Sequence, residues 1–291
     1  MKYAYYPGCS LHSTAKEYDL STKEVASALG IELVEIPGWA CCGATPAHLT
    51  VQSLSIALPV KNLLQAKNMD AGDVVTCCAA CFSRLKIANH FMETETEKRK
   101  EVEGIVGERY EGEVKARHFL EVLTKDLGLD KLKTKVAKEL KGLKVACYYG
   151  CLLTRPKGVT GIDDLEDPRL LDDLMGTIGV EAVKWPYKTE CCGASFSLSK
   201  TEIVLKLSGD ILEMASDEGA EAIVVACPLC QSNLDLRQGM INKKLKKSFD
   251  IPIFYFTQLV ALSLGIAPGK LGFDKHMVNP VKLLKKKGII A

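Results

Sequence analysis

The sequence predicts an α/β protein made of two repeated domains, each a mostly parallel sheet flanked by helices, the two related by a pseudo-twofold. Three observations carry this. Short apolar runs alternate with helical patterns along the chain. The twelve cysteines fall into two sets with the same order and near-equal spacing. The segments flanking each set also recur, which marks a duplication.

The runs that read as buried strands are Tyr3–Tyr6, Leu33–Ile36, Val74–Thr76, Val145–Tyr149, Ala182–Trp185, Ile223–Ala226 and Ile253–Phe256. Between them Ala15–Leu29, Leu54–Lys67, Leu120–Leu127, Glu202–Ser216 and Gln258–Leu264 read as helices. Alternation of this kind implies parallel strands joined by crossover helices. The expected domains are 1–130 and 143–270, joined by the Lys-rich stretch Lys131–Leu143 and followed by a basic tail, 271–291. The charged segment Glu93–Glu113 and its shorter counterpart Gly239–Phe249 read as solvated, and Pro156–Pro168 as a surface loop.

The chain has 291 residues, 47% of them hydrophobic, enough for two domains of ordinary size. Lys+Arg number 38 and Asp+Glu 36, a balance that argues against nucleic acid as a partner. The first residues lack a long apolar core, so no secretory signal is expected. Ile253–Ala267 is too short for a membrane span and is interrupted by Thr257, Gln258 and Ser263. The protein is therefore expected to be soluble and cytoplasmic. Clustered thiols there serve as metal ligands or redox groups more often than as disulfides.

The first set runs Tyr6-Pro7-Gly8-Cys9, then Cys41-Cys42-Gly43-Ala44, then Cys78-Ala79-Ala80-Cys81. The second runs Tyr148-Tyr149-Gly150-Cys151, then Cys191-Cys192-Gly193-Ala194, then Cys227-Pro228-Leu229-Cys230. The single Cys and the pair are separated by 31 and 39 residues, the pair and the C-x-x-C by 35 and 34. Arg117–Leu123 matches Phe254–Val260, which sets His118 opposite Tyr255. Cys77 aligns with Ala226 and Cys147 with Tyr5; neither recurs, so both read as small buried hydrophobes.

Thiolates are soft ligands suited to iron–sulfur clusters, zinc or cuprous copper. Ligand groups in parallel α/β sheets gather at the carboxyl ends of strands, and Cys9, Cys78, Cys151 and Cys227 each follow a predicted strand. Structural zinc and ordinary cubane clusters take four ligands, whereas each half offers five. Either one thiol per half is a spectator or the centre is unusual. One cluster with one structural zinc is a further arrangement, and a plain C-x-x-C redox pair fits the fixed pattern poorly.

The two copies of this pattern, each with Cys-Cys-Gly-Ala at the pair, resemble the cysteine-rich CCG domain family, in particular heterodisulfide reductase B subunits. The likeness runs from Tyr6 to Leu264. Related chains occur in succinate–quinone, thiol–fumarate, glycolate and lactate systems, where an electron-transfer or scaffold role is the alternative. No ferredoxin-type Cys run is present, which fits a stand-alone B subunit. The resemblance implies two non-cubane [4Fe–4S] clusters, one on Cys9, Cys41, Cys42, Cys78 and Cys81, the other on Cys151, Cys191, Cys192, Cys227 and Cys230.

It also implies reduction of the mixed disulfide of coenzymes M and B, one electron and one sulfur per cluster. The implied partners are a ferredoxin-like C subunit and a flavin-containing A subunit. Anionic coenzymes call for cations. His12, Arg155 and Lys157 are the basic groups nearest the cysteines in sequence. His118 is the candidate proton donor to a leaving thiolate, with Tyr255 as its counterpart. The Lys243–Lys247 and Lys285–Lys287 runs read as solvated faces able to dock a partner or steer anions.

Overall fold

Among the described residues, apolar runs bounded by glycine and charged turns form eight short strands, which divide into two sheets. The computed structural model describes residues 1–44 and 51–291. In the first half β1 (Lys2–Tyr5), β2 (Glu32–Glu35), β3 (Val74–Thr76) and β4 (Ala116–His118) lie in the order β2-β1-β3-β4. In the second, β5 (Lys144–Tyr148), β6 (Glu181–Ala182), β7 (Ala222–Val225) and β8 (Ile253–Tyr255) lie in the order β6-β5-β7-β8. Every pairing is parallel. The central strands are buried along nearly their whole length, as parallel strands covered on both faces must be.

The duplication keeps its register at the sheet edges. β3 pairs Thr76 with His118, and β7 pairs Val225 with Tyr255. His118 and Tyr255 therefore occupy one structural position. Each is the N-cap residue of the helix that follows, its backbone N–H donating to the side chain of Glu121 or Gln258 three residues on, at 3.1 and 3.0 Å.

Strand β4 is absent from the apolar runs of the sequence, because Arg117 and His118 interrupt its pattern. The run Ala182–Trp185 leaves the sheet after Ala182; Trp185 turns inward and its Nε1 donates to the Cys147 carbonyl at 3.0 Å. The helical run Leu120–Leu127 begins as Phe119–Glu121 and continues with π-type hydrogen bonding over Val122–Gly128.

The halves pack reciprocally. Helix Phe256–Ser263 of the second lies on helix Lys16–Ala28 of the first, while Phe119–Glu121 of the first lies on helix Leu170–Thr177 of the second. Tyr18 stacks on Tyr255 with centroids 4.0 Å apart, and the Ser21 and Thr257 hydroxyls bond at 2.7 Å. This is the arrangement a pseudo-twofold produces. Among the described residues no helix is long and apolar enough to cross a membrane.

Candidate functional site

In each sheet the chain leaves β1 (or β5) toward one edge and β3 (or β7) toward the other, which opens a crevice at the carboxyl ends of those central strands. Cys9 and Cys151 follow the first strand of each crevice; Cys78 and Cys227 follow the second. Cys78 and Cys227 are extended cap residues of helices Ala79–Thr94 and Pro228–Gln231, where the helix N-terminus favours a thiolate. Cys81 and Cys230 sit within the first turn of the same helices.

The thiols adjoin one another as a line of pairs. Cys42 Sγ lies 3.3 Å from Cys81 Sγ, and Cys192 Sγ lies 3.8 Å from Cys230 Sγ. Cys151 and Cys191 are 4.0 Å apart. Cys78 and Cys227, both buried, each follow a carbonyl that lies within 3.1 Å of the same His118 Nε2, which sets the two residues side by side at the boundary between the halves. Three thiols of each set are buried, while Cys9, Cys41 and Cys191 are exposed and Cys151 partly so. Each line thus has a buried end at the boundary and an open end at the surface.

Backbone conformation shapes the cradle. Gly8 and Gly150 adopt φ +71° and +65°, and a Cβ there would stand 2.9 Å from Cys81 Sγ and 3.1 Å from Cys230 Sγ. Only glycine allows this approach. The Gly43 and Gly193 N–H groups point at Cys41 Sγ and Cys191 Sγ, 3.5 and 3.3 Å away.

Crowded thiols drive each other's protonation apart. Cys42 is held well below the usual thiol range, chiefly by its neighbours Cys41 and Cys81, and both of those are pushed up. Cys191 falls to about 6, chiefly because Cys151 donates to it. Cys227 is lowered by its neighbours Cys230 and Cys78.

Soft donors, a glycine cradle and spare buried hydroxyls fit an iron–sulfur cluster in each half. The Tyr18 and Tyr255 hydroxyls are buried without a hydrogen-bond partner among the described residues. Both rings lie close enough to Cys78 and Cys227 for the thiolates to add to the upward push of burial on their phenols. Among the described residues no three His, Cys, Asp or Glu side chains close on a point as a single ion requires.

The remaining candidates are placed differently. His118 is fully buried, with Nε2 2.9 Å from the Cys77 carbonyl and 3.1 Å from the Ala226 carbonyl, while Nδ1 accepts from the Leu120 N–H. Burial lowers its pKa to about 4, so at neutral pH it carries one proton, already shared by two carbonyls. The candidate proton donor therefore has its Nε2 engaged by the backbone of both halves. His12 is paired with Glu35 at 3.1 Å and set edge-on to Trp39; Arg155 is paired with Glu166 at 3.1 Å. Lys157 is exposed. Cys77 contacts the Thr22 hydroxyl at 3.3 Å, and Cys147 lies buried in β5.

Three residues join the site that the cysteine pattern alone does not single out. Arg84 and Asn233 follow the last Cys of each C-x-x-C by three, the spacing of neighbours on one helix face. Tyr18 enters from the Lys16–Ala28 helix by stacking on Tyr255.

Fold and site together define a tandem α/β protein with a five-thiol site at the switch point of each sheet. The sequence profile of the cysteine-rich domain, CCG, matches residues 3–86 and 145–235, and the chain belongs to that family. It is 30% identical over 285 residues to the 8-methylmenaquinol:fumarate reductase membrane anchor subunit of Wolinella succinogenes, covering 97% of this chain and 99% of that one. It is 33% identical over 282 residues to a heterodisulfide reductase B-subunit-like protein of Archaeoglobus profundus, covering 93% of each. It is 29% identical over 291 residues to the B subunit of a ferredoxin:CoB-CoM heterodisulfide reductase of Methanosarcina mazei, covering 98% of this chain and 96% of that one. A crystal structure of a hypothetical protein from Helicobacter pylori shares the fold, with a TM-score of 0.76 at 14% identity; the match covers 95% of this chain and 51% of that one.

Proposed function

We propose that the chain is the iron–sulfur subunit of an oxidoreductase complex that reduces a mixed disulfide to two thiols, the heterodisulfide of coenzymes M and B being the substrate that its relatives' names favour. In this reading the five thiols of each half hold a non-cubane [4Fe–4S] cluster. The observation that carries it is the His118 Nε2, which reaches the carbonyls just before Cys78 and Cys227 at 2.9 and 3.1 Å and so brings the inner ends of the two thiol sets together. Disulfide cleavage takes two electrons, and the two clusters, when bound, supply them singly.

The protein's own groups do the rest. Buried Phe82, Phe256 and Tyr18 keep water from the shared boundary. Tyr255, kept protonated by burial and without a partner for its hydroxyl among the described residues, is the group able to donate to a developing thiolate. His118 holds the two halves at fixed separation. Twelve free cysteines support a cytoplasmic setting, with a ferredoxin-like subunit, fed by a flavin-containing one, as electron donor.

One observation favours a second reading, an electron-transfer subunit acting on a neutral apolar carrier such as a quinol. A cleft of about 650 Å³ opens beside Cys191–Cys192, lined by Leu198, Leu229, Leu236 and Met240 with serine hydroxyls. Arg237 is its one cation among the described residues, and its guanidinium already donates to the Ser197 carbonyl at 2.8 Å. Purified protein reconstituted anaerobically separates the readings. Turnover of the heterodisulfide with a chemical reductant supports the first; oxidation of a soluble menaquinol without disulfide turnover supports the second. Iron far below about eight atoms per chain removes both.

A further inference from the structure

The two thiol sites match in geometry but differ in charge at two positions. Tyr6 Oη donates to the Ala40 carbonyl at 2.8 Å, and its counterpart Tyr148 donates to the Glu190 carbonyl at 2.6 Å. Ala40 and Glu190 therefore share one structural position, immediately before the Cys pair. Arg84 and Asn233 share another, one helical turn beyond Cys81 and Cys230. Asn233 Nδ2 lies 3.6 Å from Cys192 Sγ and 3.2 Å from the Cys192 carbonyl. Arg84 is half-buried, makes no ion pair among the described residues, and stands one helical turn beyond Cys81, whose Sγ lies 3.3 Å from Cys42 Sγ.

The first site thus has a guanidinium where the second has a neutral amide. The second has a carboxylate on the residue directly before Cys191, where the first has a methyl group. Of the other charged groups beside the sites, Glu35 faces His12 and Lys23 at the first and Arg155 pairs with Glu166 at the second, while Arg237, in the cleft beside the second, donates to the Ser197 carbonyl and has no carboxylate partner among the described residues. An electron added to a thiolate-held cluster adds negative charge, which a nearby cation favours and a nearby anion opposes. Both differences act in the same sense.

We infer that Arg84 and Glu190 split the reduction potentials of the two sites, so that an electron entering at the Cys151–Cys230 set runs downhill to the Cys9–Cys81 set. The step oxidises one centre by one electron, reduces the other by one, and requires no proton. It rests on the iron–sulfur reading of both sets.

The test is a redox titration of the anaerobically reconstituted full chain, followed by electron paramagnetic resonance. Arg84→Gln should lower the potential of one centre, Glu190→Gln should raise that of the other, and the double variant should narrow the gap. Arg84→Lys, which keeps the charge, should stay near the parent value. Unmoved potentials, shifts in the opposite sense, or both variants moving the same centre overturn the inference. If Arg84→Gln does not load, the exposed Glu190 position decides alone: an unmoved potential in Glu190→Gln overturns it. A parent protein with no iron–sulfur signal defeats the underlying reading instead, since there is then nothing to titrate.

Discussion

The Nε2 of His118, in the first half, lies 3.1 Å from the carbonyl oxygen of Ala226, in the second. The same nitrogen lies 2.9 Å from the Cys77 carbonyl. Because Nδ1 accepts from the Leu120 N–H, the hydrogen-bond network assigns the proton to Nε2, which donates to both carbonyls. Those carbonyls immediately precede Cys78 and Cys227, the buried thiols that open each C-x-x-C. One imidazole therefore ties the two strand ends on which the sites are built.

Removing that tie should cost stability before it costs chemistry. His118→Ala leaves two buried carbonyls without a donor and opens a cavity, a loss of about 2–4 kcal/mol. His118→Phe refills the volume without restoring the donor and should fall between the alanine variant and the parent. Urea unfolding midpoints check the order. A phenylalanine variant as unstable as the alanine one would mean that the hydrogen bonds, and not the packing, carry the contribution.

Acid should weaken the fold through two histidines. Burial lowers the pKa of His118 and of His276 from 6.5 to about 4. The unfolded chain then binds more protons than the folded one between those values, so stability is full above pH 6.5 and is lost as pH falls toward 4. From pH 7 to 5 each histidine should remove about 2 kcal/mol. Unfolding midpoints at the two pH values test this, and a His276→Gln variant should show a shallower dependence than the parent.

Much of this arrangement is legible in the sequence, and the exceptions have physical causes. The repeat places ten cysteines at strand ends because a parallel α/β sheet leaves its crevice there. Strand β4 hides because only Ala116 of its three residues is apolar; the match to Ile253–Tyr255 is the surviving signal. A histidine beside a reactive cysteine reads as an acid, and nothing local tells that His118 is enclosed by Phe82 and Phe256 and engaged by a carbonyl 108 positions away. His12 and Arg155 read as free cations because their partners, Glu35 and Glu166, are distant in sequence. Arg84 and Asn233 carry a usable signal, the i+3 spacing from each C-x-x-C, once the helix there is recognised.

The two cradle glycines make a sharper test of the sites. Gly8→Ala forces a left-handed conformation on a residue with a side chain, at about 1–2 kcal/mol. It also drives a methyl group to within 2.9 Å of Cys81 Sγ. The first cluster should fail to assemble while the second persists, so iron should drop from about eight to about four atoms per chain. Gly150→Ala should do the same to the second. Iron analysis reads both; full iron in either variant would mean that the cluster sits elsewhere.

Cys77 and Cys147 separate ligands from bystanders. Burial pushes the Cys77 thiol up to about 12 and the Cys147 thiol well above its usual range, so neither readily offers a thiolate. Cys77 spends its contact on the Thr22 hydroxyl; Cys147 lies inside β5, its carbonyl held by Trp185. Cys77→Ala and Cys147→Ala should therefore keep the full iron content and cost only about 1 kcal/mol of stability for a lost sulfur in the core. Cys81→Ser and Cys230→Ser should instead each remove one cluster, about four irons, while leaving the other signal intact. Iron and sulfide analysis beside electron paramagnetic resonance distinguishes the two classes. Loss of iron from Cys147→Ala alone would bring a sixth thiol into the second site and break the equivalence of the halves, because Tyr5 stands at that position in the first.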